Sequence, residues 1–87
     1  MRTAILDIRK ETAAVLDAVL GLGARAASLT DDSALLGSIP ELDSMAVVAV
    51  ITSLEEHFGF EVSDDDIDGS TFQTFGSLVG FVESKLA

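Results

Sequence analysis

The chain has 87 residues, fifteen acidic against five basic for a formal net charge of −10, and no cysteine. That length holds one small hydrophobic core, so a single domain over residues 1–87 is expected. The charge disfavours nucleic-acid phosphates and anionic membrane surfaces as partners, and the lack of any thiol excludes disulfides and thiolate metal sites.

The opening MRTAILDIRKETAAVL is interrupted by Asp7, Arg9, Lys10 and Glu11, so it lacks the apolar core of a signal peptide. No apolar run approaches the roughly 20 residues of a membrane span. A cytoplasmic protein without stable membrane insertion is expected. Ile5, Ile8, Thr12, Val15, Leu16 and Val19 recur at helical spacing, which predicts an amphipathic first helix over residues 3–20. Gly21 and Gly23 follow it as a stop, since glycine tolerates the left-handed turn that ends helices.

From Ala24 to Leu42 the chain mixes small and turn-forming residues with Leu29, Leu35, Leu36, Ile39 and Leu42. A connection of that length is uncommon unless functional or packed down, and its apolar residues predict packing across the helices. The second helix is expected from Ser44 to His57 or Phe58, with Asp43 as N-cap, a buried stripe of Val47, Val50, Ile51, Leu54 and Phe58, and Gly59 as its end. VSDDDIDG predicts a short helical turn capped by Ser63, with Asp64 to Asp66 in its first turn where the helix dipole favours negative charge. A last helix is expected from about Thr74 to Leu86, burying Phe75, Leu78, Phe81 or Val82, and Leu86. No alternating strand pattern appears. The fold class is therefore all-α: a small bundle of three main helices plus one short helix, with a long first loop.

Asp43, Ser44 and His57 invite a hydrolase triad. Ser44 and His57 lie thirteen residues apart on one predicted helix, a separation of about 20 Å at 1.5 Å rise per residue. No proton passes directly across that gap, so a triad is excluded. His57 is expected to face solvent near a helix C-terminus. Asp64, Asp66, Asp68 and Gly69 match the opening of a calcium loop, but Phe75 stands where the bidentate Glu belongs, so no metal site is expected. Glu55 and Glu56, adjacent on a helix, diverge and cannot serve one site as acid and base; a solvated, partner-facing role is expected. No phosphate loop, basic patch or metal-ligand cluster is present, and the chain is expected not to be an enzyme.

Ser44 is the remaining candidate. Asp43 takes the capping task and frees the serine hydroxyl. Met45 and Val48 fall on the flank of the core stripe and leave an apolar patch beside it. A phosphate ester at a helix N-terminus is stabilised by free backbone N–H groups and by the macrodipole.

Taken together, the amphipathic first helix, the apolar-studded loop, LDSM, LEEHFGFEVSDDDID and TFQTFGSLVGFVESKL resemble the acyl carrier protein, or phosphopantetheine-attachment, family over nearly the whole chain. Ser44 takes the position of the family's modified serine in its Asp-Ser-Leu motif, with Met45 where Leu is usual, a volume-conserving exchange. The resemblance implies a non-catalytic carrier. A phosphopantetheinyl transferase moves 4′-phosphopantetheine from coenzyme A to Ser44, next to Asp43, and the arm's thiol carries acyl groups between acyl-loading and acyl-processing enzymes. Met45, Val48, Thr52, Glu55 and Glu56 are the expected partner-binding residues of a monomer. Alternatives are a carrier of aminoacyl or polyketide groups, or a calcium-responsive or structural module. Ala46 to Val50 lacks the acidic residues that fatty-acid-synthase carriers place there, which suits a specialised pathway as well as a housekeeping one. The initiator Met suits a stand-alone protein.

Overall fold

The computed structural model describes residues 7–40, 42–67 and 69–86, and its order of helices follows local chemistry. The first helix, α1 (Ile8–Leu20), starts later than expected. Asp7 has extended backbone angles, φ −86° and ψ 92°, and its carboxylate accepts the Lys10 N–H at 3.1 Å. Asp7 is thus a cap and not a helical residue; residues 3–6 of the expected helix lie outside the described residues. Gly21, at φ 68°, ends the helix as predicted, its N–H bonded to the Asp17 carbonyl at 2.7 Å.

The following stretch, expected as loop, contains a one-turn helix, α2 (Ala24–Ala27). Its Ala-Arg-Ala-Ala sequence has high helix propensity, but four residues are too few to display a period. Further on, Leu35 and Leu42 are buried, and Leu29 and Ile39 pack against the core. Leu36 departs from expectation and is 50% exposed.

Backbone hydrogen bonds join this loop to the start of the last helix, α4 (Phe75–Leu86). Leu35 and Leu36 N–H groups donate to the carbonyls of Gln73 and Phe72, while the Phe75 and Gly76 N–H groups donate to those of Ser33 and Asp31. Two otherwise orphaned N–H groups of α4 are thereby satisfied. Thr74 and Ser77 complete the cap reciprocally: each backbone N–H donates to the other's hydroxyl at 3.0 Å. An added Cβ at Gly76 would stand 2.8 Å from the Asp31 carbonyl oxygen, so the junction requires glycine. Arg9 of α1 holds the same Asp31 from outside through two hydrogen bonds, 2.9 and 2.6 Å.

Helix α3 (Ser44–Phe58) crosses α1 and buries Val50 and Leu54, with Val47, Ile51 and Phe58 half-buried; Gly59, at φ 76°, ends it. From α4, Phe75, Leu78, Val79 and Val82 complete the core, and Phe81 packs against it. Leu86, expected inside, is 37% exposed, since the helix has run past the core there. The acidic segment forms a single 3₁₀ turn, Asp64–Asp66. Among the described residues there are no strands, only an isolated bridge between Ala34 and Thr74.

Candidate functional site

The site is built from the entry into α3. Asp43 is extended, with φ −106° and ψ −174°, and its Oδ1 accepts the Ala46 N–H at 2.8 Å, while its carbonyl accepts the Val47 N–H at 2.9 Å. Asp43 therefore caps the helix with both side chain and backbone. Ser44, the first helical residue, is exposed, and its hydroxyl has no hydrogen-bond partner among the described residues. A free hydroxyl beside unshared first-turn N–H groups suits a phosphoryl ester in charge and in space.

Met45 is 81% and Val48 63% exposed, and Ala49, Thr52 and Glu56 are exposed as well. Met45, Val48, Thr52 and Glu56 are spaced three, four and four residues apart and so share one face of α3. Glu55 does not behave as expected. It is half-buried, and its Oε2 accepts the Val62 N–H at 2.8 Å, tying the segment after α3 back to the helix. The solvated state expected for both glutamates holds for Glu56 alone.

His57 is exposed near the C-terminus of α3, as expected, but it is not solitary: Nε2 lies 2.6 Å from Glu11 Oε1 on α1. Because α3 is one continuous helix, Ser44 and His57 remain at opposite ends of it, and no nucleophile–base pair forms. In the acidic turn, Asp66 Oδ2 accepts the Ser63 N–H at 2.9 Å, the Ser63 hydroxyl at 3.1 Å and Lys85 Nζ at 3.0 Å. The Ser63 backbone donor, followed by Lys85, holds the Asp66 carboxyl below its ordinary range. Asp68 lies outside the described residues. Among the described residues no group of three or more His, Asp or Glu side chains is placed to hold a metal ion.

Two open grooves flank α1. One, of about 430 Å³, runs past Arg9, Lys10, Ala13, Ala26 and Leu29; the other, of about 390 Å³, lies between α1 and α3 along Ala14, Ala18, Ser53 and His57. Ser44 lines neither. No helix among the described residues is long and apolar enough to cross a membrane. The Glu55–Val62 and His57–Glu11 contacts had no signal in the sequence, because neither spacing matches a local hydrogen-bonding rule.

A family model described as "phosphopantetheine attachment site" matches residues 13–82. Among solved structures, the chain is similar to a holo acyl carrier protein from Nitrosomonas europaea determined by solution NMR. The two share 56% sequence identity with a TM-score of 0.86, over 93% of this chain and 98% of that one. No curated protein matches significantly. Proteins of this kind carry groups between enzymes, such as transferases and acyl-processing enzymes, instead of catalysing a reaction themselves. An all-helical fold with a capped helix opening on a free serine, a family model over most of its length and a solved carrier more than half identical converge on one assignment: this chain belongs to the phosphopantetheine-attachment family of acyl carrier proteins, whose cofactor is a covalently attached 4′-phosphopantetheine.

Proposed function

We propose that residues 1–87 form one carrier domain in which Ser44 is the attachment residue and the chain itself catalyses nothing. A phosphopantetheinyl transferase would transfer the phosphoryl end of the arm from coenzyme A to Ser44 Oγ. As that oxygen bonds to the phosphorus and gives up its proton to a base on the transferase, the pyrophosphate P–O bond of coenzyme A would break and adenosine 3′,5′-bisphosphate would leave. The arm supplies the thiol that this cysteine-free sequence lacks, and acyl groups ride on it as thioesters. Asp43 holds the first turn of α3 in place while Ser44 reacts.

The observation that carries this reading is the free, exposed Ser44 hydroxyl at the start of α3, left open because Asp43 does the capping. We take the carrier to be a cytoplasmic monomer, and the acid-free first turn of α3 suits a specialised acyl pathway as well as a housekeeping one. The exposed stripe of Met45, Val48, Thr52 and Glu56 is the natural face for partner enzymes, with Glu55 contributing there only through its free oxygen.

Intact mass measurement after incubation with coenzyme A, Mg²⁺ and a broad-specificity phosphopantetheinyl transferase tests the assignment. Wild type should gain the mass of one phosphopantetheinyl group and Ser44→Ala none. An unchanged wild-type mass, or an equal gain on Ser44→Ala, would reject it.

A further inference from the structure

Taking the attachment at Ser44 as proposed above, we infer that the cargo of this carrier is an acyl chain with a hydrogen-bonding oxygen toward its free end, and that Thr12 Oγ1 receives that oxygen inside the bundle. Thr12 is fully buried on α1, and its Oγ1 has no hydrogen-bond partner among the described residues, not even the carbonyl one turn back that a helical threonine commonly uses. A buried hydroxyl in that state lowers stability unless a ligand completes it. Local rules are broken in this way mainly where function requires it.

Thr12 is aimed between two helices. Glu11, the residue before it, meets His57 of α3, while Ala13, the residue after it, lines a groove with Phe75 of α4. Successive helical side chains diverge by about 100°, so Thr12 stands between those flanks and faces the seam of α3 and α4. Among the described residues that seam is slack: α1 packs on both helices, whereas α3 and α4 approach each other closely at almost no point.

Ser44 borders the same seam. Ser53, nine residues after it, lines the groove on the α1 side, and nine residues are about two and a half turns, which puts Ser44 on the opposite flank of α3. Val47 and Ile51 share this flank and pack half-buried against the core. An acyl chain held on the arm leaves water by sliding along that apolar seam. Glu11, next to Thr12, pairs with His57, thirteen residues from Ser44, about 20 Å along the axis. Along the seam the arm comes first, the thioester next and the free end of the chain last. The oxygen that meets Thr12 therefore lies toward the free end.

The test compares thermal melts of wild type, Thr12→Val and Thr12→Ser. Each is loaded by a broad-specificity phosphopantetheinyl transferase from octanoyl and decanoyl coenzyme A that carry no hydroxyl, a terminal hydroxyl or a β-hydroxyl, and intact mass confirms one acyl-phosphopantetheinyl group before melting. The change in Tm on adding the terminal hydroxyl should be more favourable in wild type than in Thr12→Val by about 4–8 °C for at least one chain length, the shift of one buried hydrogen bond in a domain of this size. Thr12→Ser, which keeps the hydroxyl, should retain the wild-type preference. The β-hydroxyl, beside the thioester, should not distinguish wild type from Thr12→Val. An equal response of those two proteins to the terminal hydroxyl at both lengths, loss of the preference in Thr12→Ser, or an equally large discrimination by the β-hydroxyl overturns the inference and leaves Ser44 as the attachment residue. A wild type that gains no mass rejects the attachment, and the inference with it.

Discussion

Asp43 and Ser44 are neighbours that divide two tasks a single N-terminal residue often combines. The carboxylate of Asp43 closes on the Ala46 N–H, so removing it leaves a backbone donor of α3 unpaired. Asp43→Ala should therefore lower the unfolding free energy by about 1 kcal/mol, the usual cost of a lost N-cap. Ser44→Ala removes a hydroxyl with no partner and should stay within about 0.5 kcal/mol of wild type; chemical denaturation of both variants checks the pair, and equal losses would contradict the division. A second isolated hydroxyl has the opposite status. Thr12 is fully buried on α1, and its Oγ1 has no hydrogen-bond partner among the described residues. Thr12→Val keeps the shape and deletes the unpaired polar atom, so it should stabilise by about 1 kcal/mol, a rise of about 4–8 °C in Tm for a domain of this size.

Between elements, the contact that decides the fold is the junction of the first loop with α4. Asp31 approaches so closely that a Cβ at Gly76 would stand 2.8 Å from its carbonyl oxygen, whereas a Cβ at Gly80, on the same helix, meets nothing within 4 Å. Gly76→Ala should destabilise by about 1–3 kcal/mol through forced displacement of the loop. Gly80→Ala should stabilise by about 0.5–1 kcal/mol through helix propensity alone. Thermal melts of the two variants should move in opposite directions; a shared direction would mean that the loop yields freely. The sequence displays both glycines in one helical pattern and nothing distinguishes them there, since the difference comes from a residue 45 positions away. The helices themselves were legible because their caps are local: Asp43 reaches three residues ahead, and Gly21 and Gly59 end their helices by their own backbone freedom.

For the molecule as a whole, ten excess negative charges on 87 residues make self-repulsion the main electrostatic effect. The exposed Arg9–Asp31 and Lys85–Asp66 pairs oppose it only locally. Raising ionic strength from about 0.01 to 0.15 M shortens the screening length from about 30 to 8 Å, so Tm should rise with salt; a fall would mean that the ion pairs outweigh the repulsion. Asp31 is held below the ordinary carboxylate range first by its hydrogen bond from Arg9, and Asp66 first by the Ser63 N–H. A folded-state pKa below the unfolded value contributes stability that is present above that value and is lost as pH falls through the folded pKa. The loss belongs to the region below about pH 4. Asp66→Asn should flatten the acid side of the stability profile there, and an unchanged acid limb would remove Asp66 from the account.

The sequence by itself determined the three helices, the capped opening of α3 and the serine beside the cap, because each rests on spacing, propensity or a hydrogen bond spanning no more than a few residues. Only the tertiary structure decided that Leu36 faces outward, that Glu55 turns back to Val62, that His57 meets Glu11 and that Gly76 makes room for Asp31. Those outcomes depend on which surfaces press together once distant segments meet, and close packing of remote residues leaves no periodicity in the chain. The apolar stripe beside Ser44 belongs to both: its letters were plain in the sequence, but the exposure of Met45 and Val48 on a helix that buries Val50 and Leu54 emerged only in the fold.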